Sequence, residues 1–179
     1  MSFQNALTRN LARLSFVPAT LRPSIISRLL GKVVPYVGTS GLLYESLDFE
    51  QVVVSIRNRK PVQNHIGGVH AAAVALLAET ASGFVVGMNL PDDRLPLIKS
   101  LQVDYVRRSQ GGLRAVARLS ADQIHRLRNE ERGEVEVLTT VTDEHGDQPV
   151  QCRMLWAWVP KKREKREELS TMCKPGLKS

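Results

Sequence analysis

The 179 residues, 42% hydrophobic and 24% charged, suit one globular domain with a real core and exclude a disordered chain. Two cysteines, Cys152 and Cys173, exclude a disulfide framework; with no CxxC or CxxxC pair they also exclude a cysteine-built zinc site, and a reducing cytosol is the expected setting. The net charge of +7 gathers at one end: residues 160–179 carry seven Lys/Arg against three Asp/Glu, leaving 18 against 15 in residues 1–159, which with 5% aromatics reads as a basic tail and not as a nucleic-acid face.

The first 44 residues contain no acid; Arg9, Arg13, Arg22, Arg28 and Lys32 make the start purely cationic. Phe3, Leu7, Leu11 and Leu14 recur at helical spacing, and Pro23 suits the first turn of a second helix over Ser24–Leu30. Two readings stay open: short helices covering a sheet, or an Arg-rich, acid-free amphipathic transit peptide. No long apolar core stands before a small-residue cleavage site, as a secretory signal would require. From Gly41 to Asn58 the texture is strand, with Val52, Val53, Val54 and Ile56 clustered. Residues 59–68 form a polar loop ending in Gly67-Gly68. Val69–Met88 then runs twenty residues with one formal charge, Glu79. Its Ala and Leu content predicts a helix, and its apolar sides predict burial all round. A membrane span is rejected because small residues and a central Glu make it poorly lipophilic.

After a turn at Pro91–Arg94 the sequence predicts strands over Leu97–Val106, Leu113–Leu119, Glu134–Thr142 and Val150–Val159, the last two joined by Asp143–Gly146. In the final strand Cys152, Met154, Trp156 and Trp158 alternate onto one face. Ser120-Ala121-Asp122-Gln123 is a capping box for a short helix to about Asn129. The predicted architecture is α+β, a curved antiparallel sheet wrapped around one long apolar helix, with short N-terminal helices. The predicted domains are residues 1–38, 39–160 and a charged, disordered tail at 161–179.

The chemistry gathers where the polar loop meets the apolar helix. A carboxylate at Glu79 on such a helix costs several kcal/mol unless paired, hydrogen-bonded or protonated. It either serves chemistry or orders the core through a cap, an Arg or a subunit interface. The first helical turn leaves N–H groups unsatisfied at its positive end, so those near His70 and Ala71 can hold a developing oxyanion. Gly67 and Gly68 let the chain turn and a ligand approach. His70 by itself suits a helix cap or a core histidine. His65, His70, His125 and His145 show no ligand spacing, so no metal and no cofactor are expected.

The run Asn64-His65-Ile66-Gly67-Gly68-Val69-His70-Ala71-Ala72, followed by Leu76-Leu77-Ala78-Glu79-Thr80, resembles the hotdog-fold thioesterases of the PaaI-like type. Their pattern is N-x-x-G-x-x-H-G-G with an acid nine residues after the His. The likeness covers roughly residues 40–160, with Ser100–Ser109 similar to the third strand and Thr140–Gly146 to the final hairpin. His70-Ala71-Ala72 stands where the family has His-Gly-Gly, and Ser109 where a Pro often closes the third strand. Gly83 stands where some relatives carry Ser or Thr, and the helix from Ala121 is an insertion.

That resemblance implies hydrolysis of an acyl-CoA-type thioester by a dimer, or a dimer of dimers. Glu79 is then general base or nucleophile, the Ala71 N–H, helped by His70, polarises the carbonyl, and Asn64 orients water or carbonyl. Arg107 and Arg108, at a strand end, are either contacts for the phosphates of CoA or solvated side chains. A non-catalytic acyl-binding or scaffold dimer is the alternative. Along one helix His70 and Glu79 lie about 13.5 Å apart on opposite faces, so a site using both needs two chains. The expected compartment is the cytoplasm, or the mitochondrion if the cationic start is a transit peptide.

Overall fold

Three short helices come first in the computed structural model, which describes residues 3–161: α1 (Ala6–Ala12), α2 (Arg22–Val33) and α3 (Pro35–Ser40). Asn5 starts α1 with a reciprocal cap: its Oδ1 accepts the Thr8 N–H at 2.9 Å, and Thr8 Oγ1 accepts the Asn5 N–H at 2.9 Å. Leu7, Leu11 and Leu14 pack against the core, as their spacing predicts. α2 begins around Pro23 but runs three residues past the predicted end. α3 is not predicted; it starts on Pro35 and stops at Gly41, whose φ of 66° is the left-handed cap that glycine adopts without strain.

The stretch 41–58 forms two strands, β1 (Leu43–Leu47) and β2 (Gln51–Ile56), paired antiparallel through a turn in which the Asp48 N–H donates to the Gln51 carbonyl at 2.9 Å. A 3-10 turn (Lys60–Val62) and the polar loop lead into α4 (Ala71–Asn89). Then follow β3 (Arg94–Tyr105), β4 (Leu113–Arg118), α5 (Ala121–Asn129), β5 (Gly133–Asp143) and β6 (Val150–Pro160). The predicted capping box opens α5: Ser120 Oγ accepts the Gln123 N–H at 3.2 Å, and Gln123 Oε1 accepts the Ser120 N–H at 2.8 Å. All pairings are antiparallel and the order is β1-β2-β4-β5-β6-β3, which leaves β1 and β3 at the two edges.

The sheet curls about α4, which packs against β2 through β6. Alternate residues point inward: Leu113, Ala115 and Ala117 from β4, Val135, Val137 and Val141 from β5, and Met154, Trp156 and Trp158 from β6. The two indoles are hydrogen-bonded, Trp156 Nε1 donating to Ser82 Oγ at 3.0 Å and Trp158 Nε1 to the Glu130 carbonyl at 2.9 Å. Burial of α4 on every side does not hold. Ala72 is exposed, and Ala75, Leu76, Glu79 and Gly83 are only partly covered, because an open six-stranded sheet wraps one side of the helix and does not close around it. By length and composition α4 alone, among the described residues, could cross a membrane, yet more than half of it is buried as in a core helix. The predicted tail lies outside the described residues apart from Lys161.

Candidate functional site

The loop before α4 is held by its own side chains. Asn64 Oδ1 accepts the N–H groups of Ile66 at 3.1 Å and Gly68 at 3.0 Å, and the Asn64 N–H donates to the Gly68 carbonyl at 2.9 Å. Gly67 has φ 78°, so the turn requires a residue free of Cβ strain. Gly68 has no such requirement, and a Cβ there meets only the Asn64 amide at 3.7 Å or more; its effect is to keep the approach open. Asn58 Nδ2 ties the loop from outside by donating to the Gly67 carbonyl at 3.0 Å.

His70 is the N-cap of α4. Its Nδ1 accepts the Ala72 N–H at 3.1 Å and its carbonyl accepts from Ala73 and Val74. The ring is exposed. With Nδ1 accepting, the proton of the neutral ring sits on Nε2. The Ala71 N–H has no hydrogen-bond partner among the described residues, and the first turn of α4 carries no acid to neutralise its positive end. Tyr105, which sequence reasoning missed, reaches across from β3 and donates its hydroxyl to the Ala71 carbonyl at 2.6 Å.

A cleft of about 230 Å³ opens at this point, and its walls include Asn64, Gly68, Ala71, Tyr105, Arg107 and Arg108. Four sequence-predicted groups, the Asn, the second Gly, Ala71 and the Arg pair, therefore meet around one space. Arg107 is ion-paired to Asp147 at 2.8 Å, and Arg108 donates to the Ile66 carbonyl at 3.3 Å. Gly67 lines a neighbouring cleft with Arg108. His70 and Glu79 lie outside both.

Glu79 is half-buried further along α4 and has no cationic partner among the described residues. Burial lifts its pKa above the usual carboxylate range, and a long hydrogen bond from Thr80 Oγ1, at 3.5 Å, opposes that in part. Tyr44, from β1, packs on Phe84 of the same helix with ring centroids 4.6 Å apart and the ring planes tilted by 57°. Its hydroxyl is buried without a partner, and burial, then the charge of Glu79, push its pKa far up. Gly83 is explained by packing: a Cβ there would fall 2.7 Å from Trp156 Cη2, so the indole occupies the space that a side chain at this position would need.

A family described only as a domain of unknown function, DUF4442, matches residues 22–159. Comparison with curated protein sequences gives no match. Among solved structures, the chain is similar to PA5026 of Pseudomonas aeruginosa, described as a probable thioesterase. The TM-score is 0.69 and the identity 26%, over 77% of this chain and 95% of that one. The Haemophilus influenzae thioesterase HI1161 superposes with a TM-score of 0.62 at 10% identity, over 78% of this chain and 94% of that one. The Staphylococcus aureus thioesterase SAV0944 gives 0.58 at 18%, over 70% and 99%. The chain belongs to the DUF4442 family and carries the hotdog fold.

Proposed function

We propose that this protein hydrolyses an acyl-CoA-type thioester at a site shared between two chains. One observation carries the reading. A single helix bears at its start Ala71, which lines a cleft and whose N–H has no partner among the described residues, and eight residues on a half-buried carboxylate, Glu79, without a cationic partner among them, with each out of the other's reach in one chain. The likeness to a probable thioesterase at 26% identity supports thioester chemistry.

A second copy can supply what one chain lacks. β3 is a twelve-residue edge strand paired on one side only, with Leu97, Ile98 and Leu101 exposed along it. Such an edge is a template for pairing with another strand. Antiparallel pairing of two β3 strands brings two sheets into one and relates two α4 helices by a two-fold axis. Glu79 of one chain then serves the Ala71 end of the other. Glu79 takes a proton from water, the water oxygen bonds to the thioester carbon, and the Ala71 N–H receives the oxyanion. Collapse breaks the C–S bond, and the proton held by Glu79 goes to the leaving thiolate. Direct attack by Glu79, giving a mixed anhydride that water then opens, uses the same geometry. Arg107 and Arg108 are the cations nearest the cleft for the phosphates of CoA.

The non-catalytic reading draws on a different observation: Asn64 Oδ1 and His70 Nδ1 are both engaged in holding the loop. A panel of acyl-CoA thioesters, read by release of free thiol, separates the two. Turnover that Glu79→Gln abolishes supports the enzyme; acyl-CoA binding with no turnover supports the scaffold.

A further inference from the structure

We propose that the α2 face of this protein docks on the surface of an anionic lipid bilayer. Leu21, Ile25, Leu29 and Val33 follow one another at intervals of four residues, a single face of the helix, and are 55%, 36%, 44% and 76% exposed. They point away from the core, which α2 meets through Ile26 and Leu30. Phe16, just before α2, is 82% exposed as well. A run of large apolar side chains left in water marks a surface that something covers.

The charge around the stripe says what that is. Arg28 lies three residues from Ile25, and Lys32 three from Leu29, so both flank the stripe. The same two cations line a cleft of about 580 Å³ with Arg57 and Arg59 and without any acid. Arg59 is held by the Thr39 carbonyl at 3.1 Å; Arg28, Lys32 and Arg57 have no acidic partner among the described residues. No Asp or Glu occurs before Glu45. A symmetric contact with a second copy would set cations against cations, and the sequence of residues 162–179 is itself cationic. α2 packs on β1, at the opposite edge of the sheet from β3, so β3 pairing leaves the stripe bare. An apolar helical stripe flanked by unpaired cations matches an anionic bilayer: side chains enter the acyl boundary and Arg28, Lys32 and Arg57 take lipid phosphates.

The test is flotation of the full chain with vesicles of phosphatidylcholine alone or with about a third phosphatidylserine, at low and high salt. Binding is expected only to the anionic vesicles and weakens with salt. The double variant Arg28→Glu/Lys32→Glu should bind at least about 25-fold more weakly, at about fivefold per cation. Leu29→Asp should bind at least tenfold more weakly, with the parent's melting temperature, because that side chain touches little of the core. Three results overturn the proposal: equal binding to neutral vesicles, charge reversal without effect, or a drop in oligomer size on Leu29→Asp, which would show that a second copy covers the face. Thioester turnover in free solution is measured in parallel; its absence would count against the catalytic reading and leave this one standing.

Discussion

Asn5→Ala measures whether the N-terminal helices are part of the fold that holds Glu79. Asn5 is 3% exposed. Its Nδ2 donates to the carbonyls of Gly87 at 2.8 Å, Met88 at 3.3 Å and Leu90 at 2.7 Å, so it caps the C-terminal end of α4 while its Oδ1 caps the start of α1. Alanine removes both. Losing an N-cap costs about 1 kcal/mol. Leaving partly buried carbonyls without a donor costs about 1–3 kcal/mol more, since water reaches some of them. The total, about 2–4 kcal/mol, lowers the melting temperature of a domain this size by roughly 5–15 °C. Thermal and urea melts check it, with Asn10→Ala as control, an exposed position on the same helix where alanine is neutral or slightly favourable. An Asn5→Ala protein within about 0.5 kcal/mol of the parent would refute the reasoning and favour the transit-peptide reading.

Gly83→Ala places a methyl against Trp156 and should destabilise by about 1–3 kcal/mol, seen as a lower melting temperature and a shifted tryptophan emission. Leu101→Lys puts a charge on the β3 edge; light scattering should show monomers, with turnover lost although each chain keeps its own Glu79. Because burial raises the native pKa of Glu79, the native chain holds that proton to higher pH than the unfolded chain does. The cost of the buried charge is therefore absent at low pH and grows as pH rises through the native value. Glu79→Gln should melt above the parent at about pH 8 and lose that advantage towards pH 4, while the parent's turnover falls on acidification.

The parts legible in the sequence are those where one local pattern decides. The apolar run of α4, the Ser120–Gln123 box and the alternation of Met154, Trp156 and Trp158 each fix an element by themselves. The split of 41–58 was hidden because Asp48-Phe49-Glu50 lacks the Gly, Pro or Asn that usually announces a hairpin, and the β-branched residues sit on one side of it. α3 was hidden because Gly38 and Thr39 are poor helix formers; Pro35 and the Gly41 cap impose it. At the site, Gly68 and Ala71 were legible at the junction of loop and helix, and Asn64, Arg107 and Arg108 through the resemblance to hotdog thioesterases; all five meet around one cleft. Tyr105 and Tyr44 were missed because their relevance lies in what they face across the fold, Ala71 and Glu79, and no local period encodes that.

The shared site is tested most directly by mixing two defective chains. Ala71→Pro removes only the N–H: Ala71 is the first residue of α4, where Pro is favoured, and His70 at φ −63° and ψ 141° already has the backbone that precedes Pro. Glu79→Gln removes only the carboxylate. Each homodimer should lose about 10²–10³-fold or more in thioester turnover. Refolding the two together at equal amounts makes half the dimers mixed, each with one intact site of two, so about a quarter of the parent's turnover should return. Either variant active alone to within threefold, or mixed chains that stay inactive while forming dimers, would contradict a site built from Ala71 of one chain and Glu79 of the other.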